Sequence, residues 1–161
     1  MTEIITSISA AALPARGQPL AGGTFIERYW LNNQERALIL LGAEHDLFGA
    51  YGEYGQDIAG AGHYVDGEAN TRAMAEAGSE LAKKALELAA HIPACLEGQL
   101  IMAAKHAGLI TDLREDRCYW LSTQRSAYRA YGMGFEDGWQ HYNGKHAELL
   151  VRPVRSLPIL Q

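Results

Sequence analysis

The chain has 161 residues, a formal charge of −5, 48% hydrophobic and 20% charged side chains. That length suits one domain with a sizeable core, and the composition excludes general disorder. With no Lys/Arg-rich run and no apolar stretch near the ~20 residues of a membrane span, neither nucleic acid nor a membrane is expected as a partner.

Residues 1–110 carry 7 basic and 13 acidic side chains, and residues 111–161 carry 7 and 6. Met1-Thr2-Glu3 lacks the basic start of a secretory signal. A protein made in the cytoplasm is therefore expected, with Cys95 and Cys118 as free, buried thiols. Seventeen glycines, about 11% against a usual ~7%, indicate a turn-rich domain.

Residues 1–21 read as an N-terminal arm. Ile4, Ile5 and Ile8 lack a sustained period, and Pro14, Gly17, Pro19, Gly22 and Gly23 break up the stretch after them. Such an arm is either loose or docked on a second copy, which would make a homo-oligomer. The domain proper spans 22–161. Thr24–Leu31 and Glu35–Leu41 read as strands of a β-hairpin around Asn32-Asn33, the second apolar on both faces and so central. Gly42 to Gly67, with Phe48, Tyr51, Tyr54 and Tyr64, reads as a long ordered loop holding one short strand.

Asn70 to about His91 reads as one helix capped by Asn70, with Met74, Leu81 and Leu88 recurring at seven. Leu96 to Ala107 reads as a second, stopped by Gly108. Four strands complete the chain: 118–123, 130–135, 139–142 and 148–155. Hairpin turns are expected at Asp137-Gly138 and Asn143-Gly144. The order defines an α+β domain.

Motifs for chemistry are sparse. There is no phosphate loop, dinucleotide fingerprint or Gly-x-Ser-x-Gly elbow. His91 and Cys95 stand at i, i+4 with Pro93 between them and no second Cys/His pair nearby. His141 and His146 with Glu148 read as a solvated turn, and Asp66-Gly67-Glu68 as a turn and helix cap. Gly132-Met133-Gly134 reads as a bulge or a close contact in a strand. No enzyme activity, metal or cofactor is expected. What remains is a surface. Tyr128, Arg129, Tyr131, Trp139, His141, Tyr142, Asn143 and Lys145 are of the types that recognition surfaces use. Strand alternation turns about half of this stretch inward.

Tyr119-Trp120-Leu121-Ser122-Thr123, then Ala130 to Gly138, then Val151-Arg152-Pro153-Val154-Arg155 resembles the closing signature of a domain family of phages and prophages. That family is related to the C-terminal domain of Lcl-type collagen-like adhesins. Upstream, Asp66-Gly67-Glu68-Ala69-Asn70-Thr71 resembles its helix start and Phe25 to Leu41 its opening hairpin, for coverage of residues 22–157. The stretch His91 to Leu100 departs from it, keeping Pro93 and Leu100 but losing a Ser-Arg-x-Glu core. The resemblance implies a C-type-lectin-like fold, two helices packed on short twisted antiparallel sheets with long loops, and scaffold roles for Tyr119, Trp120, Ser122, Thr123, Arg152 and Arg155. Calcium-dependent lectin motifs and the formylglycine-generating cysteine pair are absent. A shared fold does not fix function.

Two functions are therefore expected as alternatives. One is a non-enzymatic, virion-associated tail or fibre module that recognises a cell-surface glycan or protein. The other is a factor in the host cytoplasm that binds and blocks a host protein complex.

Overall fold

The structure, a computed structural model, describes residues 5–161. Ile4 and the first three residues lie outside the described part. Two five-stranded sheets and three helices make an α+β architecture. The first sheet is built on the Asn32-Asn33 hairpin. Both asparagines take positive φ (51° and 62°), the turn that matches strand twist, and join β3 (Gly23–Leu31) to β4 (Gln34–Leu40). Apolar on both faces, β4 is central and pairs on its other edge with β10 (Val154–Leu160).

The expected arm folds onto its own chain instead. Short strand β1 (Ile8–Ser9) pairs in parallel with β10, and β2 (Pro19–Leu20) pairs with β3. Ile8 is buried with Phe25, Ile39 and Ile159. Breakers allow only two-residue strands, which add a short edge strand to each side of the sheet.

The second sheet runs β5-β9-β6-β7-β8, where β5 is Leu47–Ala50, β6 Cys118–Gln124, β7 Arg129–Gly134, β8 Gln140–Gly144 and β9 Glu148–Val151. The expected strand 148–155 is two strands in two sheets. Pro153 has no N–H to donate, and at Val154 the chain starts β10 while bridging His91. The Asp137-Gly138 turn joins β7 to β8 as expected. Asn143-Gly144 makes no hairpin: it ends β8, paired with Ala130 and Arg129, the turn runs from Gly144 to Ala147, and the chain crosses to β9.

The long helix expected from Asn70 is two helices, α1 (Gly67–Glu76) and α2 (Glu80–Glu87). Gly78 takes φ +101°, which an L side chain resists, and the Ser79 side chain caps α2. Asp66, not Asn70, caps α1, accepting from Ala69 N–H at 3.0 Å. Of the seven-residue spacing, Met74 and Leu81 enter one cluster, with Ala85, Trp120 and Ala130, while Leu88, the C-cap of α2, lies outside it. Helix α3 (Cys95–His106) lies between the sheets, its Ile101 and Ala104 packing with Ile26, Leu38, Tyr119 and Met133. It approaches β6 and β7 so closely that a Cβ on Gly98 would stand 2.7 Å from Met133 Sδ. The second sheet is thus covered by α3 on one face and α1 and α2 on the other, leaving β8 as a free edge. Among the described residues no helix is long and apolar enough to cross a membrane.

Candidate functional site

The β7–β8 hairpin carries most of the surface expected from the sequence, and its register sorts those residues. Tyr131 pairs with Tyr142, Arg129 with Gly144 and Gly132 with His141. Because successive side chains alternate, Arg129, Tyr131 and Tyr142 share one face while His141 and Asn143 share the other. The single expected patch is therefore two, on opposite faces.

On the first face the rings lie at the end where the β6–β7 turn meets the loop before α1. Tyr142 is 44% exposed, with the Arg125 guanidinium 4.0 Å above its ring and that of Arg129 at 5.5 Å. Half-buried Tyr131 meets Tyr142 edge-on at 6.4 Å. Tyr128, 52% exposed, packs on exposed Tyr54 at 5.1 Å, and Tyr54 meets His146 edge-on at 4.8 Å. The Gly55 N–H donating to Ala127 O holds this loop against the turn. Each exposed cation–ring contact contributes only about 0.5–1 kcal/mol, so the rings are ordered yet available. Tyr54 and His146 belong here although their positions in the chain, far from the β7–β8 hairpin and beyond its end, gave no sign of it.

On the opposite face, the Cys118 Sγ lies 3.4 Å from His141 Nε2, and the Asn143 side-chain amide 3.0 Å from His141 Nδ1. Trp139, 68% exposed, packs on the imidazole at 5.3 Å. A cleft of about 410 Å³ opens beside these groups, with Glu136 and Asp137 on its wall. Cys118 is a free thiol, half-buried rather than buried. His146 is not part of this group, and among the described residues no cluster of three or more His, Cys, Asp and Glu is placed to hold a metal ion.

Lys145 is in neither patch. Its side chain is fully buried, and its Nζ donates to Gln56 O and Gln124 Oε1, each at 2.6 Å. Burial pushes the ammonium's pKa down, with Asp57 opposing. With its own carbonyl accepting from Tyr51 N–H, Lys145 ties the long loop to β6. It is corrected from a ligand contact to a structural clamp: the chain crossing after Gly144 carries it inward where a solvated turn was expected.

The signature residues converge on the scaffold. Asn70 Nδ2 donates to His63 O and to Ser122 Oγ, and Thr123 Oγ1 donates to His63 O while accepting from Cys95 N–H. Trp120 Nε1 donates to Gly49 O, and Tyr119 packs edge-on to Phe135. Buried Arg152 reaches Asp46 and Asp112, and Arg155 donates to the carbonyls of Leu88 and Ala89 that end α2.

A buried ionisable group escaped the sequence reading. His91 Nε2 lies 2.9 Å from Glu97 Oε2, which also accepts from Tyr29 O–H at 2.9 Å, while Glu97 Oε1 accepts from Ala94 N–H. Burial alone would lower the His91 pKa, but the Glu97 charge and hydrogen bond hold it above 6.5. His91 and Cys95 form no pair; burial pushes the Cys95 thiol up. A cleft of about 410 Å³ between α2 and β10 has His91, Arg36, Arg72 and Arg155 on its walls, the arginines engaged with Ser156, Glu68 and backbone carbonyls. No family model matches the chain, and no curated protein matches it significantly.

Proposed function

We propose that the protein is a non-enzymatic binding module, a divergent C-type-lectin-like domain of phage or prophage origin, carried on a virion tail or fibre and recognising a cell-surface glycan or protein. The observation that carries this reading is the aromatic end of the second sheet. Tyr54, Tyr128 and Tyr142 are exposed, with Arg125 and Arg129 stacked on the Tyr142 ring and Tyr54 packed on Tyr128. Rings offer flat apolar area at low entropy cost, and guanidiniums offer directional hydrogen bonds, a combination suited to sugar rings and to protein surfaces. The lectin-like assignment is supported by the way Asn70, Ser122 and Thr123 of the resembling motifs meet in one hydrogen-bond network. One such surface gives weak monovalent binding, so adsorption would draw on several copies.

The test is mass spectrometry of purified phage particles together with binding of labelled protein to intact host cells. Stoichiometric presence in particles and saturable cell binding are expected. Absence from particles, with capture of one host complex from infected-cell lysate, would overturn this reading and favour the intracellular alternative, which the acidic excess of residues 1–110 supports.

A further inference from the structure

The face of the β7–β8 hairpin opposite Tyr142 holds a nucleophile, a base and an orienting amide, assembled by a gap in the strand between them. Cys118 of β6 pairs with Gly134 of β7, and Gly132 of β7 pairs with His141 of β8. With glycine at both β7 positions no side chain rises from β7 at either pairing, and the Cys118 Sγ lies 3.4 Å from His141 Nε2 across the strand. A Cβ on Gly134 would meet nothing within 4 Å, because that side is the open cleft. Asn143 fixes the imidazole from its other nitrogen at 3.0 Å. The Asn143 atom there is Nδ2, a donor; a half-turn about χ2 puts Oδ1 in its place, where it accepts from Nδ1–H and turns the Nε2 lone pair to the thiol.

We propose that Cys118, His141 and Asn143 form an activated-thiol site that exchanges with disulfides carried by cationic molecules. His141 Nε2 takes the thiol proton as Cys118 Sγ attacks one sulfur of the incoming disulfide. A new S–S bond to Cys118 forms, the incoming S–S bond breaks, and the leaving thiolate takes the proton from His141. Cys118 is oxidised and half of the disulfide is reduced, so no other oxidant is needed. Burial holds His141 below its usual pKa, Asp137 opposing, so the ring is a neutral base at pH 7, while burial keeps Cys118 protonated until it is engaged.

Charge around the pair selects the partner. Glu115 and Asp116, just before β6, are paired with Lys105 and Arg114, whereas Glu136 and Asp137 of the β7–β8 turn have no salt bridge among the described residues and face Arg117 alone on the cleft wall. Two unpaired carboxylates against one guanidinium favour a positively charged disulfide. The site is independent of the aromatic end and goes beyond the binding role proposed above.

The experiment is the rate of mixed-disulfide formation at Cys118 with cystamine, read by peptide mass from pH 5 to 9. Cys118→Ser reports the background, including the buried Cys95. The native rate should level off above a pKa below 6.5, whereas an ordinary thiol climbs tenfold per pH unit towards ~8.5. His141→Ala should be slower at pH 7 by on the order of 10²-fold. Gly134→Val, which fills open space, should block the reaction in a protein that melts like the native one. Cystamine should outpace an anionic disulfide, dithiodiglycolate, at low salt, and the gap should close in concentrated salt. An ordinary thiol pH profile, or native rates in both folded His141→Ala and folded Gly134→Val, would overturn the site. Equal rates for the two disulfides would overturn its preference for cations.

Discussion

The junction between the two sheets and the free end of the second sheet use similar residues to opposite ends. At the junction Arg152 is buried and each of its polar edges is engaged: Nε and one terminal nitrogen with Asp46, the other terminal nitrogen with the Asp112 carboxylate, and the Asp112 carbonyl as well. At the free end Arg125 and Arg129 rest on a tyrosine ring and keep their hydrogen-bonding edges towards water. A guanidinium engaged at every nitrogen inside the fold defines geometry, whereas one stacked on an exposed ring is held in place but free to bind. The difference lies in what each arginine was packed against, not in its chemistry.

Removing Arg152 should break the first region most severely. Arg152→Ala leaves Asp46 and Asp112 without their cation, and we expect a loss of about 3 kcal/mol in urea unfolding, with Asp112, half in water, limiting the effect. Lys145→Met tests the reassignment of that residue from the binding surface to the scaffold. It should cost about 2 kcal/mol by stranding the Gln56 carbonyl and taking one of two donors from Gln124 Oε1, which keeps the Ile58 N–H. A ligand contact would instead lose binding with no change in stability.

The buried His91–Glu97 pair gives a smaller effect, confined to pH above the unfolded histidine value. The His91 pKa is raised in the folded state, so its contribution is complete below the unfolded value near 6.5 and is lost as pH rises through the folded value. Stability measured by urea at successive pH values should fall on that limb in the native protein, and His91→Gln should flatten it. Least affected in stability should be Tyr142→Ala, within about 0.5 kcal/mol of native, as for an exposed side chain outside the core.

Local pattern carried much of the fold. The Asn32-Asn33 turn, the α3 helix ending before Gly108 and the strands from Cys118 to Tyr142 are consequences of turn chemistry and alternation. The break at Gly78-Ser79 was written in the residues but hidden by periodicity, since α1 and α2 bury the same stripe against one sheet face. Pairing between distant strands was not legible. That Ile8 joins β10, that the chain leaves Gly144 for β9, and that Gly132 and Gly134 open a gap for Cys118 all depend on strand order, which local sequence does not encode. The binding surface shows the same limit. Its residue types were visible, whereas its division between two faces, its loss of Lys145 and its gain of Tyr54 and His146 came from register and crossing.

Binding of Tyr142→Ala and Trp139→Ala to intact host cells, measured side by side with the native protein, separates the two faces of the β7–β8 hairpin as recognition surfaces. Both rings are exposed, but Tyr142 belongs to the aromatic end while Trp139 covers His141 on the other face. If the aromatic end is the recognition surface, Tyr142→Ala should weaken binding about tenfold or more, the loss of a contact worth at least ~1.4 kcal/mol, and Trp139→Ala should bind as the native protein does. Native binding by folded Tyr142→Ala, with the loss falling on Trp139→Ala, would contradict it.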